Sequence, residues 1–288
     1  ARVEDSDAGR PPRWIKARIV SEGRAMEVRR LIQEKKLHTV CSSAHCPNMG
    51  ECWGNGTATF MINGDICTRS CRFCAVLTGR PLPIDQDEPR RVADAAATMN
   101  LRHVVVTSVN RDELPDGGAS QFARVIEQLR ARLPKATVEV LIPDFKGNAQ
   151  ALEAVFNARP DVLNHNVETV PRLYPTVRPQ ANYQQSLNVL KSASEHGLPA
   201  KSGIMLGLGE RKSEVEQVLS DLHQHGCRIV TIGQYLRPSP KHHPVIRYVP
   251  LEEFMHYRQY GEQLGISRIE SAPLVRSSYH AHESMSAL

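Results

Sequence analysis

Residues 59–74 read TFMINGDICTRSCRFC. An apolar, extended-looking run leads into three cysteines, Cys67, Cys71 and Cys74, in C-x3-C-x2-C spacing. Three close thiols on a loop just after a strand can wrap one corner of a cubane iron–sulfur cluster, and thiolates are the usual ligands of such clusters. Three ligands leave one of the irons open, and an open coordination position is where a substrate or cofactor binds directly. Structural zinc takes four protein ligands, often as two C-x2-C pairs, so this group is a poor zinc site.

Downstream of Cys74, short apolar β-branched runs alternate with amphipathic helical runs. The pattern predicts strands at 103–109, 138–142, 162–167, 202–206 and 229–235, with a short last strand at 266–271. It predicts helices at 90–99, 119–132, 149–157, 183–196, 214–225 and 251–264. Ser213 with Glu216, and Asn182 with Gln185, have capping-box spacing. Gly197, Gly226 and Gly265 stand just past helix ends, where a left-handed residue is wanted. With 59–62 as the first strand there are about six βα units, which form a barrel or a doubly wound sheet. The pattern alone does not separate the two. No repeat or linker interrupts it, so one continuous domain with two terminal extensions is expected.

Upstream, residues 1–20 read as a loose arm and 21–38 as a helix with Met26, Leu31, Ile32 and Leu37 facing inward. Cys41, Cys46 and Cys52 follow in C-x4-C-x5-C spacing, too loose for a zinc ribbon and again only three thiols. A cluster plus a disulfide, or a mixed zinc site, leaves ligands unassigned. A second cluster with a non-cysteine fourth ligand accounts for all six thiols. Six of the seven cysteines crowd between Cys41 and Cys74, unlike a secreted disulfide framework, and point to metal in a reducing, cytoplasmic setting. The remote Cys227 reads as a buried small apolar residue.

The 288 residues fit a single α/β barrel. Residues 1–18 carry Glu4, Asp5 and Asp7 without an apolar core, unlike a secretory or transit segment, and no run approaches membrane-spanning length. The net charge of +5 is spread along the chain; only Arg29-Arg30 and Lys35-Lys36 cluster. Neither a membrane nor nucleic acid is an expected partner.

The Cys67–Cys71–Cys74 spacing, with Phe73 before the last thiol, resembles the signature loop of radical S-adenosylmethionine (SAM) enzymes. The paired cysteine groups resemble more narrowly the lipoyl synthase family. The likeness continues through TSVNRDELPDGG (107–118), HNVETVPRLYPTVRP (165–179), SGIMLGLGE (202–210) and RSSYHA (276–281). Asn110 stands where many members are expected to carry Asp. The resemblance implies a partial (β/α)6 barrel of the TIM type over 58–265, an auxiliary-cluster extension over 1–57 and a closing segment over 266–288.

It also implies the insertion of two sulfur atoms, at carbons 6 and 8, into an octanoyl chain on a lysine of a carrier protein. The carriers would be lipoyl domains of 2-oxoacid dehydrogenases and the glycine-cleavage H protein, and ferredoxin or flavodoxin would supply electrons. By the same resemblance Cys67, Cys71 and Cys74 hold the 4Fe–4S cluster that binds SAM. Cys41, Cys46, Cys52 and a serine of RSSYHA, Ser278 in preference to Ser277, hold an auxiliary 4Fe–4S cluster that donates the sulfur. A serine oxygen is a hard ligand among soft thiolates and leaves more readily.

Contacts to SAM fall by resemblance to Phe73, to Asp116, Gly117 and Gly118, and to Asn166 and Glu168 at a strand end. Gly207 to Glu210 would flank the adenosine. Arg178 and Arg276 would hold the SAM carboxylate or order a cluster. His45 has no vacancy to fill, and His242-His243 reads as a surface pair. The alternatives are a different sulfur-inserting radical SAM enzyme, such as a biotin-synthase-like inserter or a methylthiotransferase, and a zinc-stabilised nucleic-acid module.

Overall fold

A computed structural model describes Pro12, Trp14, Ile15, Cys46 and residues 22–43, 48–54 and 59–278. His45, most of the N-terminal arm and residues 279–281 of the RSSYHA motif lie outside the described residues.

Seven parallel strands follow one another in the sheet: β1 (Thr59–Ile62), β2 (His103–Ser108), β3 (Thr137–Leu141), β4 (Val162–Asn164), β5 (Ala200–Leu206), β6 (Cys227–Gln234) and β7 (Arg268–Ser271). Six helices make the crossovers: α1 (Glu88–Thr98), α2 (Ala119–Arg132), α3 (Ala149–Asn157), α4 (Tyr183–Glu195), α5 (Lys212–Gln224) and α6 (Leu251–Leu264). The strand order is sequential and β7 ends the row, giving an open partial barrel rather than a doubly wound sheet. Strands buried on both faces read as continuous apolar runs, as HVVVTS in β2 does. Val104, Val106, Val140, Leu163 and Ile232 are wholly buried, and burying such side chains contributes about 1.5–3 kcal/mol each.

The two flanks belong to the same sheet. His38–Thr39 pairs antiparallel with β1, and β7 completes the parallel row beside β6. The N-terminal helix, Glu22–Glu34, buries Val28 and Ile32, but Met26 is 63% exposed, against expectation. Val28 takes the inward place two residues on.

Two other local expectations are corrected. Helix α5 starts at Lys212, not at a Ser213 cap, because the Glu214 carboxylate accepts the Arg211 N–H at 2.8 Å and draws the start forward. The expected strand 162–167 stops at Asn164, and the chain turns so that Glu168 takes a left-handed backbone (φ +65°). Asn182 does cap α4, its side chain accepting the Gln185 N–H at 2.9 Å. The barrel interior also holds an ion pair. Lys201 Nζ lies 2.9 and 3.0 Å from the two Glu139 oxygens, both side chains fully buried, and Asn164 donates to the same carboxylate at 3.1 Å.

Candidate active site

The functional residues gather beyond the C-terminal ends of the strands, where barrel enzymes carry their chemistry. The cysteine loop leaves β1 and is fastened to the segment after β2. Thr68 donates from its N–H and its hydroxyl to the Asn110 carbonyl, both at 3.1 Å, and its hydroxyl accepts the Asp112 N–H at 3.1 Å. Arg69, inside the loop, turns inward. It makes a paired contact with Asp112 (2.7 and 2.9 Å) and another with Asp144 (3.0 and 2.6 Å). Burial works to raise the Asp144 carboxyl, but Arg69 holds it down, to about 2.

The Cys67 sulfur accepts N–H bonds from Arg69 (3.4 Å) and Asn110 (3.3 Å), contacts that favour a thiolate ligating iron. Burial pushes the Cys71 thiol up and the Cys74 thiol to about 12, so metal binding there must displace protons. Phe73 packs partly buried against the core between them.

Asn166, Glu168 and Arg178 converge beside Cys71. Asn166 donates to Glu168 at 3.1 Å, and Arg178 donates to the Asn166 and Val167 carbonyls at 3.0 and 3.1 Å. Burial raises the Glu168 carboxyl, against the pull of Arg178. Arg178 Nε and Asn166 Oδ1 are buried without partners, a donor and an acceptor that a polar ligand could satisfy.

The Asp116 carboxylate accepts the Gly118 and Ser120 N–H groups, each at 2.9 Å, and so holds the start of α2. Gly117 and Gly118 are left-handed (φ +60° and +86°), and Gly118 sits so close to the Asn63 side chain that a Cβ would lie 2.4 Å from Asn63 Nδ2. Only glycine fits there.

The second cysteine group lies on two short helices, Val40–Ser43 with Cys41 and Met49–Gly54 with Cys52, joined through Cys46. Burial raises Cys41 and pushes Cys52 to about 12. Trp53 is 1% exposed, and its indole N–H, close to the Cys41 thiol, has no acceptor. A thiolate or cluster sulfur at Cys41 would supply one. The far end of the chain arrives here too. Asn48 Nδ2 donates to the Leu274 carbonyl at 2.7 Å, and Arg276 lies beside Cys46, its guanidinium depressed by burial. Ser277 accepts from Asn166 Nδ2 at 2.6 Å, whereas Ser278 bonds to nothing among the described residues. The structure thus separates two arginines that sequence left together: Arg178 stands with Cys71 and Arg276 with Cys46.

Sequence reasoning missed the Arg69 clamp, whose carboxylates are remote in sequence. His242 and His243, a surface pair by sequence, are not one. Both are partly buried; His242 bonds to the Cys74 carbonyl at 3.0 Å and His243 to the Leu208 carbonyl at 3.0 Å. The KHHP spelling carries no signal for either contact.

Residues 61–222 match the Radical SAM superfamily. The fold is similar to that of SuiB from Streptococcus suis bound to S-adenosylmethionine (TM-score 0.58, 9% identity, covering 78% of this chain and 54% of that one). It is similar as well to methylornithine synthase, PylB (TM-score 0.51, 13% identity, 88% and 83%). Fold and cysteine loop together define a radical SAM enzyme, a class that uses SAM and a 4Fe–4S cluster. Over nearly its whole length the chain is similar to lipoyl synthases. It is 57% identical to that of Rubrobacter xylanophilus, over 98% of this chain and 88% of the relative. It is also 57% identical to that of Caldanaerobacter subterraneus subsp. tengcongensis, over 96% and 98%. The chain belongs to the lipoyl synthase family. The zinc module and the other sulfur inserters are set aside on that likeness.

Proposed function

We propose that this enzyme inserts two sulfur atoms, at carbons 6 and 8, into an octanoyl chain borne on a lysine of a lipoyl-carrier protein. The observation that carries this reading is the meeting of both chain ends at one site, with Asn48 bonded to Leu274 and Arg276 beside Cys46. Cys67, Cys71 and Cys74 hold the 4Fe–4S cluster that receives SAM, and Cys41, Cys46, Cys52 and Ser278 hold an auxiliary 4Fe–4S cluster. When bound, the first group supplies hydrogen abstraction from SAM-derived radical chemistry, and the second supplies sulfur.

The chain's own residues orient these groups. Asn166, Glu168 and Arg178 offer SAM one orphaned acceptor, one carboxyl and one orphaned donor. Gly117, Gly118 and Phe73 line the approach, while Asp116 holds their loop by capping α2. Ser277 is engaged by Asn166, which leaves Ser278 as the hydroxyl available to iron. Arg276 orders the auxiliary site through Cys46.

The carriers are lipoyl domains of 2-oxoacid dehydrogenases and the glycine-cleavage H protein, and the electron donor is a ferredoxin or flavodoxin. Six cysteines crowded between Cys41 and Cys74 as a metal-binding set fit a reducing cytoplasm. No helix among the described residues is long and apolar enough to cross a membrane. The three working segments are 1–57, 58–265 and 266–288.

The test is an anaerobic single turnover with SAM, a reductant and an octanoyl-lysine peptide, read by mass spectrometry. The expected product gains two sulfurs for about two SAM cleaved. SAM cleavage without sulfur transfer would move the assignment to another substrate.

A further inference from the structure

Residues 237–246, RPSPKHHPVI, leave the region after β6 and form a strap across the mouth of the barrel. At the cysteine loop, the His243 N–H donates to the Arg72 carbonyl at 2.8 Å, and His242 Nε2 lies 3.0 Å from the Cys74 carbonyl. At the loop after β5, His243 Nε2 lies 3.0 Å from the Leu208 carbonyl, and the Ile246 N–H donates to the Gly207 carbonyl at 2.8 Å. A carbonyl oxygen only accepts, so each histidine carries its proton on Nε2. That leaves His242 Nδ1 as an acceptor, and the Ser239 hydroxyl stands 2.8 Å from it. The strap is itself anchored: the Tyr235 hydroxyl donates to the His243 carbonyl at 2.8 Å, and Arg237 Nε donates to the His242 carbonyl at 2.9 Å.

The strap therefore joins loops from two strands that sequence separates by more than a hundred residues. One carries Cys71 and Cys74; the other carries the Gly207 to Glu210 turn. We propose that His242 and His243 are positioning residues that lock the cysteine loop to the Gly207-Leu208 turn, so that the cluster and the surface receiving SAM keep one fixed geometry. The inference rests on the assignment of Cys67, Cys71 and Cys74 to the SAM cluster and of the Gly207 to Glu210 turn to the SAM surface. Neither histidine touches a reacting atom. Each acts through a backbone carbonyl, which orients the ligand loop as partners one shell out from a metal do. A loop held by such bonds also loses less conformational freedom when SAM binds.

The test uses two substitutions at one position. His242→Leu removes the donor to Cys74, while His242→Gln offers an amide N–H to the same carbonyl. Both are made in a Cys46→Ala chain, so that the SAM cluster alone contributes to the spectrum. The reduced, anaerobic proteins are titrated with SAM and followed by electron paramagnetic resonance. His242→Leu is expected to weaken SAM binding about tenfold or more and to change the SAM-induced spectral shift, and His242→Gln to bind within about twofold of its parent. Loss of cluster in His242→Leu with retention in His242→Gln also supports the latch. Unaltered SAM binding by His242→Leu, or His242→Gln as impaired as His242→Leu, overturns it. Cys71→Ala in the same background separates the two levels: a SAM-responsive signal surviving there would sink the cluster assignment itself.

Discussion

Arg69 shows how much of this site is decided one side chain at a time. It sits between Cys67 and Cys71, yet its side chain is only 4% exposed and meets two carboxylates from different strand ends. Arg69→Met leaves Asp112 and Asp144 unpaired, and breaking a buried pair in this way costs about 3–5 kcal/mol. Urea unfolding of the cluster-free protein reads that loss. The pH dependence has a definite sign. The Asp144 carboxyl is held below its usual 3.8, so its contribution is whole above about pH 4 and is lost as pH falls toward about 2. In Arg69→Met this acid-side loss should shrink. The cysteines divide the labour differently. Cys71→Ala is expected to abolish SAM cleavage, and Cys46→Ala to keep cleavage but lose sulfur insertion, with 5′-deoxyadenosine and thiolated peptide measured separately by mass spectrometry. Lipoyl product from Cys46→Ala would mean the sulfur comes from elsewhere.

At the scale of elements, β6 has a requirement that its own sequence conceals. A Cβ on Gly233 would lie 2.1 Å from the Val275 carbonyl, so the closing segment lies directly on that strand. Gly233→Ala must push the segment off, and Arg276 and Ser278 with it. The expected result is a protein with an intact SAM cluster and a depleted auxiliary one, seen as about half the iron per chain. Full iron content in Gly233→Ala would show that the segment tolerates displacement. Helices were the most legible elements: α2, α3 and α6 begin and end where apolar periodicity and end signals put them. The strand after α3 was the least legible, because it breaks after Asn164 and rejoins β5 only through a bridge from Glu168, itself left-handed, to Ile204 at the place where site residues collect. Met26 misled because a helix has more apolar positions than its buried stripe needs.

At the scale of the molecule, the order of βα units and the two cysteine groups were legible because both are patterns of spacing along the chain. The contacts that assemble the site were not. Asn48 meets Leu274 across almost the whole sequence, and Arg69, Arg276 and the 237–246 strap find partners only once the barrel has formed. One consequence is that the two cluster sites should be separable by cutting the chain. All seven parallel strands lie before Pro273, whose carbonyl accepts the Gln234 N–H at 3.0 Å. A chain ending at Pro273 keeps the barrel and every residue assigned to SAM, but loses the Asn48 partner, Arg276 and Ser278. It should cleave SAM to 5′-deoxyadenosine under reducing, anaerobic conditions, lose about half its iron and transfer no sulfur. If the shortened chain still thiolated an octanoyl-lysine peptide, the auxiliary site would not need the second chain end. The Ser278 assignment would then fall, while the radical SAM half of the molecule stood unchanged.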